Sequence, residues 1–248
     1  MMQDRKQLIQ DDDYSFPYHY VSQFRPGYSQ TYSWPWGIYY ASAMEFILEE
    51  VKRINPASIA DIGTGDGRMV RELSIDLPDT HVVGIDYSER SIQLAKALNS
   101  TLDFRCLDII KNPPNETFDA LTLIEVFEHI PLDAANEFVA ALHPLVNNNG
   151  YLLVTVPHEN IPVSAKHFQH FSAESLSKYF EPHFELEETI FLDKRSPVVN
   201  LIKKTLENQY FILKHWGIRN RIYKYYKHFF LISDEANCSR VFMRFRPK

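Results

Sequence analysis

Short apolar segments alternate with segments of helical spacing from residue 57 onward, and this alternation constrains the fold more than any other feature of the sequence. The apolar segments ASIADIG, HVVGID, LDFRCLDI, FDALTLIEV and GYLLVTVP predict five strands. The segments RMVRELSIDL, SERSIQLAKAL and DAANEFVAALHPLV carry apolar residues at the spacing of helices. Strands that alternate with helices form a parallel sheet covered on both faces, so the predicted fold is α/β and doubly wound.

Local signals predict where several elements begin and end. Ser88 and Ser172 stand where the N-caps of two helices are expected, and the second of these helices is SAESLSKYF. The cluster NNNG predicts a turn before the fifth strand. The segments FELEETIFL and RVFMRF predict two later strands.

Ligands of doubly wound sheets bind beyond the carboxyl ends of the strands, near the point where the strand order reverses. A ligand site is therefore expected just after the predicted strand ends, which are Asp61, Asp86, Leu107, Ile124 and Val156.

The charge of the chain is unevenly distributed. The net charge is −6, but residues 194–248 contain 13 Lys or Arg and 3 Asp or Glu, which leaves a net charge of −16 on residues 1–193. One interpretation is that the basic region contacts an anionic partner, and the other is that the two parts neutralise each other within the fold.

Two regions lie outside the alternating pattern. Residues 1–55 form an aromatic-rich N-terminal cap that ends in the predicted helix ASAMEFILEEVKRI. Residues 56–248 form the main domain, and within it residues 194–235 are a basic, aromatic and helical insertion before the last strand. No apolar run reaches the roughly 20 residues that cross a bilayer, and the first residues are polar and acidic, so a cytoplasmic protein is expected.

The segment IADIGTGDGRMV places Asp61, Gly63, Thr64, Gly65 and Gly67 at the first strand end. Glycines at such a turn let the backbone approach a ligand closely. The spacing differs from GxxxxGK[ST], which disfavours a nucleoside triphosphatase. It also differs from the GxGxxG of dinucleotide sites, because this loop reads DxGxGxG.

Five motifs occur in order over residues 57–192: DIGTGDG, GIDYS, CLDI, FDALTLIEVFEHI and GYLLVTVP. Together they resemble the class I S-adenosylmethionine (SAM)-dependent methyltransferases. The resemblance implies a Rossmann-like sheet of seven strands with the last antiparallel. It also implies that Asp86 accepts hydrogen bonds from the ribose hydroxyls and that Asp108 and Ile109 contact the adenine. The implied cofactor-binding residues are Asp61, Gly63, Thr64, Gly65, Gly67, Asp86, Tyr87, Asp108, Ile109 and Glu125.

The motif EVFEHI is similar to that of two groups within this class, the ubiquinone-pathway O-methyltransferases and the small-RNA 3′-end 2′-O-methyltransferases. Glu125, Glu128 and His129 are expected on one side of a single helical turn. In the RNA group an ExxEH turn and a later histidine hold a divalent cation, and the candidates here for that histidine are His167 and His170.

Three interpretations of this motif stay open at the level of sequence. The first is a metal site for Mg, Mn, Zn or Fe formed by Glu125, Glu128, His129, His167 and His170. The second is acid–base catalysis by Glu128 and His129 without a metal. The third is a purely structural role.

The acceptor is expected beside the end of the fifth strand, where His158 is a candidate contact. The resemblance also implies a lid from the N-terminal cap, with His19 and Trp36 near the acceptor. The alternative for each of these residues is a packing or loop position without a functional role.

The sequence therefore predicts a SAM-dependent methyltransferase that methylates an oxygen of a small-molecule, sugar or lipid-linked acceptor, with a divalent metal as a candidate aid. The alternatives are an RNA 2′-O-methyltransferase and a non-catalytic SAM-binding protein. The basic insertion is expected to meet an anionic membrane surface or a phosphate group rather than nucleic acid. A peripheral membrane location and a homodimer are further expectations.

Overall fold

A computed structural model describes residues 38–206, 210, 211, 213 and 215–248 of the chain. The centre of this described part is a single sheet whose strands are adjacent in the order β3-β2-β1-β4-β5-β8-β6-β7. The strands are β1 (Ser58–Ile62), β2 (His81–Asp86), β3 (Asp103–Cys106), β4 (Phe118–Ile124), β5 (Val146–Pro157), β6 (Phe184–Leu192), β7 (Ile232–Ser233) and β8 (Arg240–Pro247).

The directions of the strands confirm the predicted fold class. Strands β1 to β5 pair in parallel, and β8 runs antiparallel between β5 and β6. The sheet has one strand more than the predicted seven, because the two-residue β7 pairs with the end of β6. A strand of two residues has no periodicity that a sequence pattern could reveal.

Helices cover both faces of the sheet. They are α1 (Ile38–Ile54), α2 (Arg68–Asp76), α3 (Glu89–Leu98), α4 (Ala135–Leu142), α5 (Ala173–Phe180), α6 (Pro197–Leu206) and α7 (Trp216–Phe229). Ser88 and Ser172 cap α3 and α5 as predicted, since each hydroxyl accepts a hydrogen bond from the backbone N–H three residues later.

Alternate residues of the central strands belong to two different cores, as the pleat of a strand requires. Ala120 and Leu153 pack with the apolar residues of α1, α2 and α3. The neighbouring residues Leu121 and Leu152 pack with those of α4 and α5 on the opposite face. Both faces are therefore buried, which explains why the sequences of β4 and of the later part of β5, YLLVTVP, are mostly apolar.

The predicted turn at NNNG is wrong, because these residues lie inside β5. The pairing between β4 and β5 shifts there, from Phe118 opposite Val146 to Ala120 opposite Tyr151. Asn147 donates a hydrogen bond of 2.7 Å to the carboxylate of Asp119. This contact with the neighbouring strand keeps the asparagine-rich segment in the sheet, and local turn signals do not report it.

The segment between β6 and β7 contains α6 and α7. These helices share a small core of Val199, Leu206, Tyr226 and Phe230, to which Tyr39 of α1 adds. The insertion therefore packs against the beginning of α1. None of the described helices is long and apolar enough to cross a membrane.

Shortening a buried side chain at the centre of the sheet should destabilise the protein strongly. Leu121 is fully buried in β4, so Leu121→Ala is expected to lower the free energy of unfolding by about 2–5 kcal/mol through lost packing and a cavity. Leu132→Ala is the matched control, since Leu132 is 53% exposed. Urea unfolding monitored by circular dichroism measures both. Equal losses for the two variants would contradict the assignment of β4 to the core.

Candidate functional site

A cavity of about 980 Å³ opens beyond the carboxyl ends of the central strands. β1 and β4 are neighbours in the sheet, but the chain leaves β1 toward α2 on one face and leaves β4 toward α4 on the other. This is the reversal point at which ligands of doubly wound sheets bind. The cavity is lined by the loop after β1, by the ends of β2, β3 and β4, and by Arg240 of β8.

The glycine loop after β1 has a backbone that other residues could adopt only with strain. Gly63 and Gly67 have φ angles of +74° and +79°. A Cβ atom on Gly63 would also lie 2.4 Å from Cγ2 of Val126, which follows β4. The backbone N–H groups of Gly63 and Thr64 donate to the carbonyl of Ile85. The loop is thereby held against the ends of both β2 and β4.

Asp86 at the end of β2 connects the glycine loop to α3. One carboxylate oxygen accepts a hydrogen bond of 3.0 Å from the N–H of Gly65, and the other accepts one of 2.9 Å from the N–H of Ser88. A carboxylate offers about four acceptor positions, so the side chain can accept hydrogen bonds from several donors, among which ligand hydroxyls are candidates. Asp86 lines the cavity, as predicted for a cofactor-binding residue.

Asp61 lies at the base of the same loop, where it is 4% exposed. Burial raises its pKa to about 6, although the 2.7 Å hydrogen bond from Thr122 favours the ionised form. A positively charged ligand in the cavity would favour the carboxylate and stabilise its charge.

Of the other predicted cofactor-binding residues, Tyr87, Asp108 and Ile109 line the cavity. Gly67 is not among the described residues that line it, and a Cβ atom there would lie against the ring of Phe104. Ile109 is buried, whereas Tyr87 is 54% exposed. Asp108 accepts from the N–H of Ile110 and pairs with the ammonium group of Lys111 at 3.0 Å. Burial alone would raise the pKa of Asp108, but the Lys111 and backbone hydrogen bonds lower it. The side chain therefore stays charged at the cavity wall.

Strand β4 ends where Glu125 adopts a left-handed backbone with φ of +54°. The N–H of Glu125 donates to the carbonyl of Thr155 in β5 at 2.9 Å. Its carboxylate accepts a hydrogen bond of 3.0 Å from Nε of Arg240. Contacts to two other strands thus compensate for a backbone conformation that is uncommon outside glycine.

Arg240 is buried among groups that come from distant parts of the sequence. Its second contact is an ion pair of 2.8 Å with Asp193, and the ring centroid of Tyr39 lies 4.6 Å from its guanidinium carbon. Asp193 also accepts a hydrogen bond of 2.6 Å from the hydroxyl of Tyr226 in α7. Burial alone would lower the pKa of Arg240, but Glu125 and Asp193 raise it, so the guanidinium is charged.

Aromatic packing fixes the turn at Phe127–His129. Phe127 is fully buried, and its ring centroid lies 5.3 Å from that of Phe171 and 5.2 Å from that of Phe180. The N–H of Phe168 donates to the carbonyl of Glu128 at 2.8 Å. These contacts bring the segment that contains His167 and His170 next to the end of β4.

Glu128, His129 and His167 form a cluster on the wall of the cavity. One potential ligand atom from each lies within 4.8 Å of the other two, and all three residues line the cavity. Glu128 is 1% exposed, and among the described residues its Oε2 has no hydrogen-bond partner. Burial raises the pKa of Glu128 well above its usual range, and the charge of Glu125 raises it further.

Backbone carbonyls determine which nitrogens of the histidines carry protons. Nδ1 of His129 is 3.2 Å from the carbonyl of Lys166, so in the neutral ring it carries the proton and Nε2 carries the lone pair. Nδ1 of His170 donates to the carbonyl of Ile161 at 2.9 Å. Nε2 of His170 then accepts from Nδ1 of His167 at 2.8 Å, which leaves the lone pair of His167 on its Nε2.

The structure separates the five residues predicted to bind a metal. Glu128, His129 and His167 lie together. Glu125 faces Arg240 instead, and His170 lies behind His167 as its hydrogen-bond acceptor. The 3₁₀ turn begins at Phe127, so Glu125 lies before it rather than on the same turn as Glu128.

The predicted acceptor contacts lie elsewhere or outside the described residues. His158 is 3% exposed, accepts from the N–H of Asn160 and does not appear among the described residues that line the cavity. His19 and Trp36 lie outside the described residues. Arg240 and Asp193 were not predicted from the sequence, where the only signal was the arginine that opens the segment RVFMRF.

Comparison with known proteins agrees with the fold. Residues 60–152 match a family model described as a methyltransferase domain. A TehB-like SAM-dependent methyltransferase from Corynebacterium glutamicum has a similar structure, with a TM-score of 0.55 and 17% identity over 83% of this chain and 88% of that one. Class I methyltransferases therefore share this fold.

Two curated relatives act on different kinds of atom. A protein-lysine N-methyltransferase of Saccharomyces cerevisiae is 29% identical over 115 residues, which are 40% of this chain and 50% of the relative. A ubiquinone biosynthesis O-methyltransferase of Bradyrhizobium diazoefficiens is 25% identical over 148 residues, which are 58% of this chain and 54% of the relative. The chain spans about half the length of the curated relatives it matches.

The buried carboxyl of Asp61 should make stability depend on pH. Its folded pKa of about 6 exceeds the ordinary value of 3.8, so its contribution to stability is present below pH 3.8 and is lost as pH rises through 6. The change approaches about 3 kcal/mol. Relative to Asp61→Asn, the parent protein should therefore become less stable between pH 4 and pH 7.

Urea unfolding across this pH range measures the difference between the two proteins. Asp133→Asn, which alters an exposed carboxylate, is the control and should follow the parent at every pH. Parallel profiles for the parent and Asp61→Asn would contradict the shifted pKa.

Proposed function

We propose that the chain transfers a methyl group from SAM to a hydroxyl of a small-molecule, sugar or lipid-linked acceptor. The observation that carries this proposal is that one cavity is lined both by the glycine loop and by the cluster of Glu128, His129 and His167. The loop suits the donor, and the cluster suits an acceptor hydroxyl. A binding protein without catalysis would have no need for the second group.

The residues of the cavity fit SAM by shape and by charge. Gly63 and Gly65 bring the backbone to the wall of the cavity, while Asp86 provides acceptors for ribose hydroxyls. Asp61 and Asp108 place negative charge on the wall, which complements a cationic ligand. When it is bound, SAM supplies an electrophilic methyl group on a sulfonium.

The cluster fits the oxygen that receives the methyl. Glu128 Oε2 and the Nε2 atoms of His129 and His167 are acceptors, so a hydroxyl that enters the cluster can donate its proton to one of them. The raised pKa of Glu128 makes its carboxylate a better base than an exposed one. Removal of the hydroxyl proton is what O-methylation requires of the protein, beyond alignment of donor and acceptor.

The same three residues fit a divalent cation, and we include it in the proposal. A carboxylate and two imidazoles are a donor set for Mn, Fe or Zn. Ligand atoms around such an ion are roughly 3–4 Å apart, so a group already within 4.8 Å needs only small side-chain movements. His170 orients the imidazole of His167, and the carbonyl of Lys166 orients that of His129. Histidines that bind metals are commonly oriented by such a hydrogen bond to the other ring nitrogen. A bound cation would polarise the hydroxyl.

Donor binding should depend on Asp86. Asp86→Asn replaces one acceptor by a donor that faces the N–H of Gly65 or Ser88, so SAM should bind at least about tenfold more weakly through the lost hydrogen bonds. Asp79→Asn, at an exposed position before β2, should bind SAM like the parent. Isothermal titration with SAM measures all three proteins. Equal affinities would contradict the assignment of the donor site.

Methyl transfer should depend on His167 although donor binding should not. With labelled SAM and a fractionated cell extract, His167→Ala is expected to lower transfer by about 10² or more and to keep the SAM affinity of the parent. His81→Ala, on an exposed strand end, is the control and should retain full transfer.

The same assay repeated with a chelator tests whether methyl transfer needs a cation. The fraction of the extract that becomes labelled shows the class of the acceptor. Loss of transfer on chelation, with recovery on adding Mn²⁺ or Zn²⁺, is the expected result. Transfer that survives chelation would exclude a role for the cation, and Glu128 would then be the proton acceptor. Label in the RNA fraction would contradict the proposed acceptor class, and binding of SAM without any transfer would support a non-catalytic protein.

A further inference from the structure

The insertion between β6 and β7 exposes an unusual amount of apolar surface. The described part of the chain has 14 large hydrophobic side chains that are exposed, and eight of them fall between Val198 and Ile232. These eight are Val198, Leu201, Tyr210, Phe211, Ile218, Tyr225, Phe229 and Ile232. Isolated exposed apolar residues are normal, but such a concentration marks a surface that contacts something other than water.

The exposed face of α7 has an apolar stripe beside a basic stripe. Ile218, Tyr225 and Phe229 are 44%, 46% and 54% exposed, and their spacing of seven and four residues places them in one line along the helix. Arg221 and Lys224 are exposed at positions that lie beside this line, and His228 follows them. Tyr226 of α7 is buried instead, in the small core that also contains Phe230, the residue just after the helix.

Helix α6 repeats this arrangement on a smaller scale. Val198 and Leu201 are 43% and 65% exposed at a spacing of three residues, and Lys203 and Lys204 are exposed at its last turn. Because α6 and α7 bury their other faces in the same small core, both outward faces combine apolar and basic groups.

The chemistry of this surface identifies its partner. We propose that the outward faces of α6 and α7 bind the surface of an anionic lipid bilayer. The insertion is strongly basic, whereas residues 1–193 carry a net charge of −16. An anionic bilayer surface would therefore attract the outward faces of α6 and α7 and repel the acidic part of the chain. Amphipathic helices of this composition lie in the interface, with their apolar side chains among the acyl chains and their Lys and Arg among the headgroups.

The apolar members of the surface favour lipid over nucleic acid. Single-stranded nucleic acid is bound by stacking of bases on aromatic rings, whereas Val198, Leu201, Ile218 and Ile232 are aliphatic. A second copy of the chain would bring two basic surfaces together, which charge repulsion opposes.

Sedimentation with vesicles tests the proposal on the whole 248-residue chain. One set of vesicles is phosphatidylcholine and the other is phosphatidylcholine mixed with phosphatidylglycerol. The protein should bind the anionic vesicles about tenfold or more tightly than the neutral ones. Higher salt should weaken this binding, because screening shortens the reach of the surface charge.

Two double variants separate the charged and apolar contributions. Arg221→Glu with Lys224→Glu should lower the partition onto anionic vesicles by about tenfold or more. Tyr225→Ser with Phe229→Ser should lower it by about tenfold. Matched controls are Lys96→Glu, which reverses an exposed lysine of α3, and Ile75→Ser, which changes a side chain that is 59% exposed in α2. Both controls should bind vesicles like the parent, and thermal unfolding verifies that every variant is folded.

Three results would overturn the proposal. The first is no binding to anionic vesicles, and the second is binding that the two double variants leave unchanged while Lys96→Glu or Ile75→Ser weakens it. The third is binding of single-stranded RNA without binding of vesicles. The vesicle measurement needs neither SAM nor an acceptor, so its failure would leave the proposed methyl transfer untouched.

Discussion

The buried guanidinium of Arg240 connects the elements that form the cavity. It binds Glu125 at the end of β4 and Asp193 after β6, and the ring of Tyr39 from α1 lies 4.6 Å from it. Tyr226 of α7 binds the same Asp193. Removal of one partner from a buried ion pair usually costs about 3–5 kcal/mol, because a charge is left without compensation. The sheet, α1 and the insertion are therefore held in one arrangement around the cavity.

The geometry of the candidate acceptor site follows from this ion pair. Arg240 holds Glu125 where the chain takes its left-handed turn, and the next residues then enter a 3₁₀ turn. Phe127 packs into the core, so Glu128 and His129 point into the cavity. The carboxylate of Glu125 raises the pKa of buried Glu128. The interaction also links the site to the insertion, because Tyr226 of α7 and Arg240 bind the same carboxylate of Asp193.

The features that local sequence could predict are those that local physics determines. The alternation of strands and helices, the caps at Ser88 and Ser172, and the glycine loop depend on neighbouring residues and were predicted correctly. The hydrogen bonds of Arg240 join positions up to 115 residues apart, and no local pattern reports them. The turn predicted at NNNG was wrong for the same reason, because Asp119 on the adjacent strand β4 holds this segment in β5.

A crystal structure with S-adenosylhomocysteine would test the central claim most directly, because it locates the donor relative to the cluster. The ribose is expected beside Asp86, the adenine against Ile109, and the sulfur directed toward Glu128, His129 and His167. S-adenosylhomocysteine bound elsewhere, or bound with its sulfur directed away from these three residues, would contradict the proposed site.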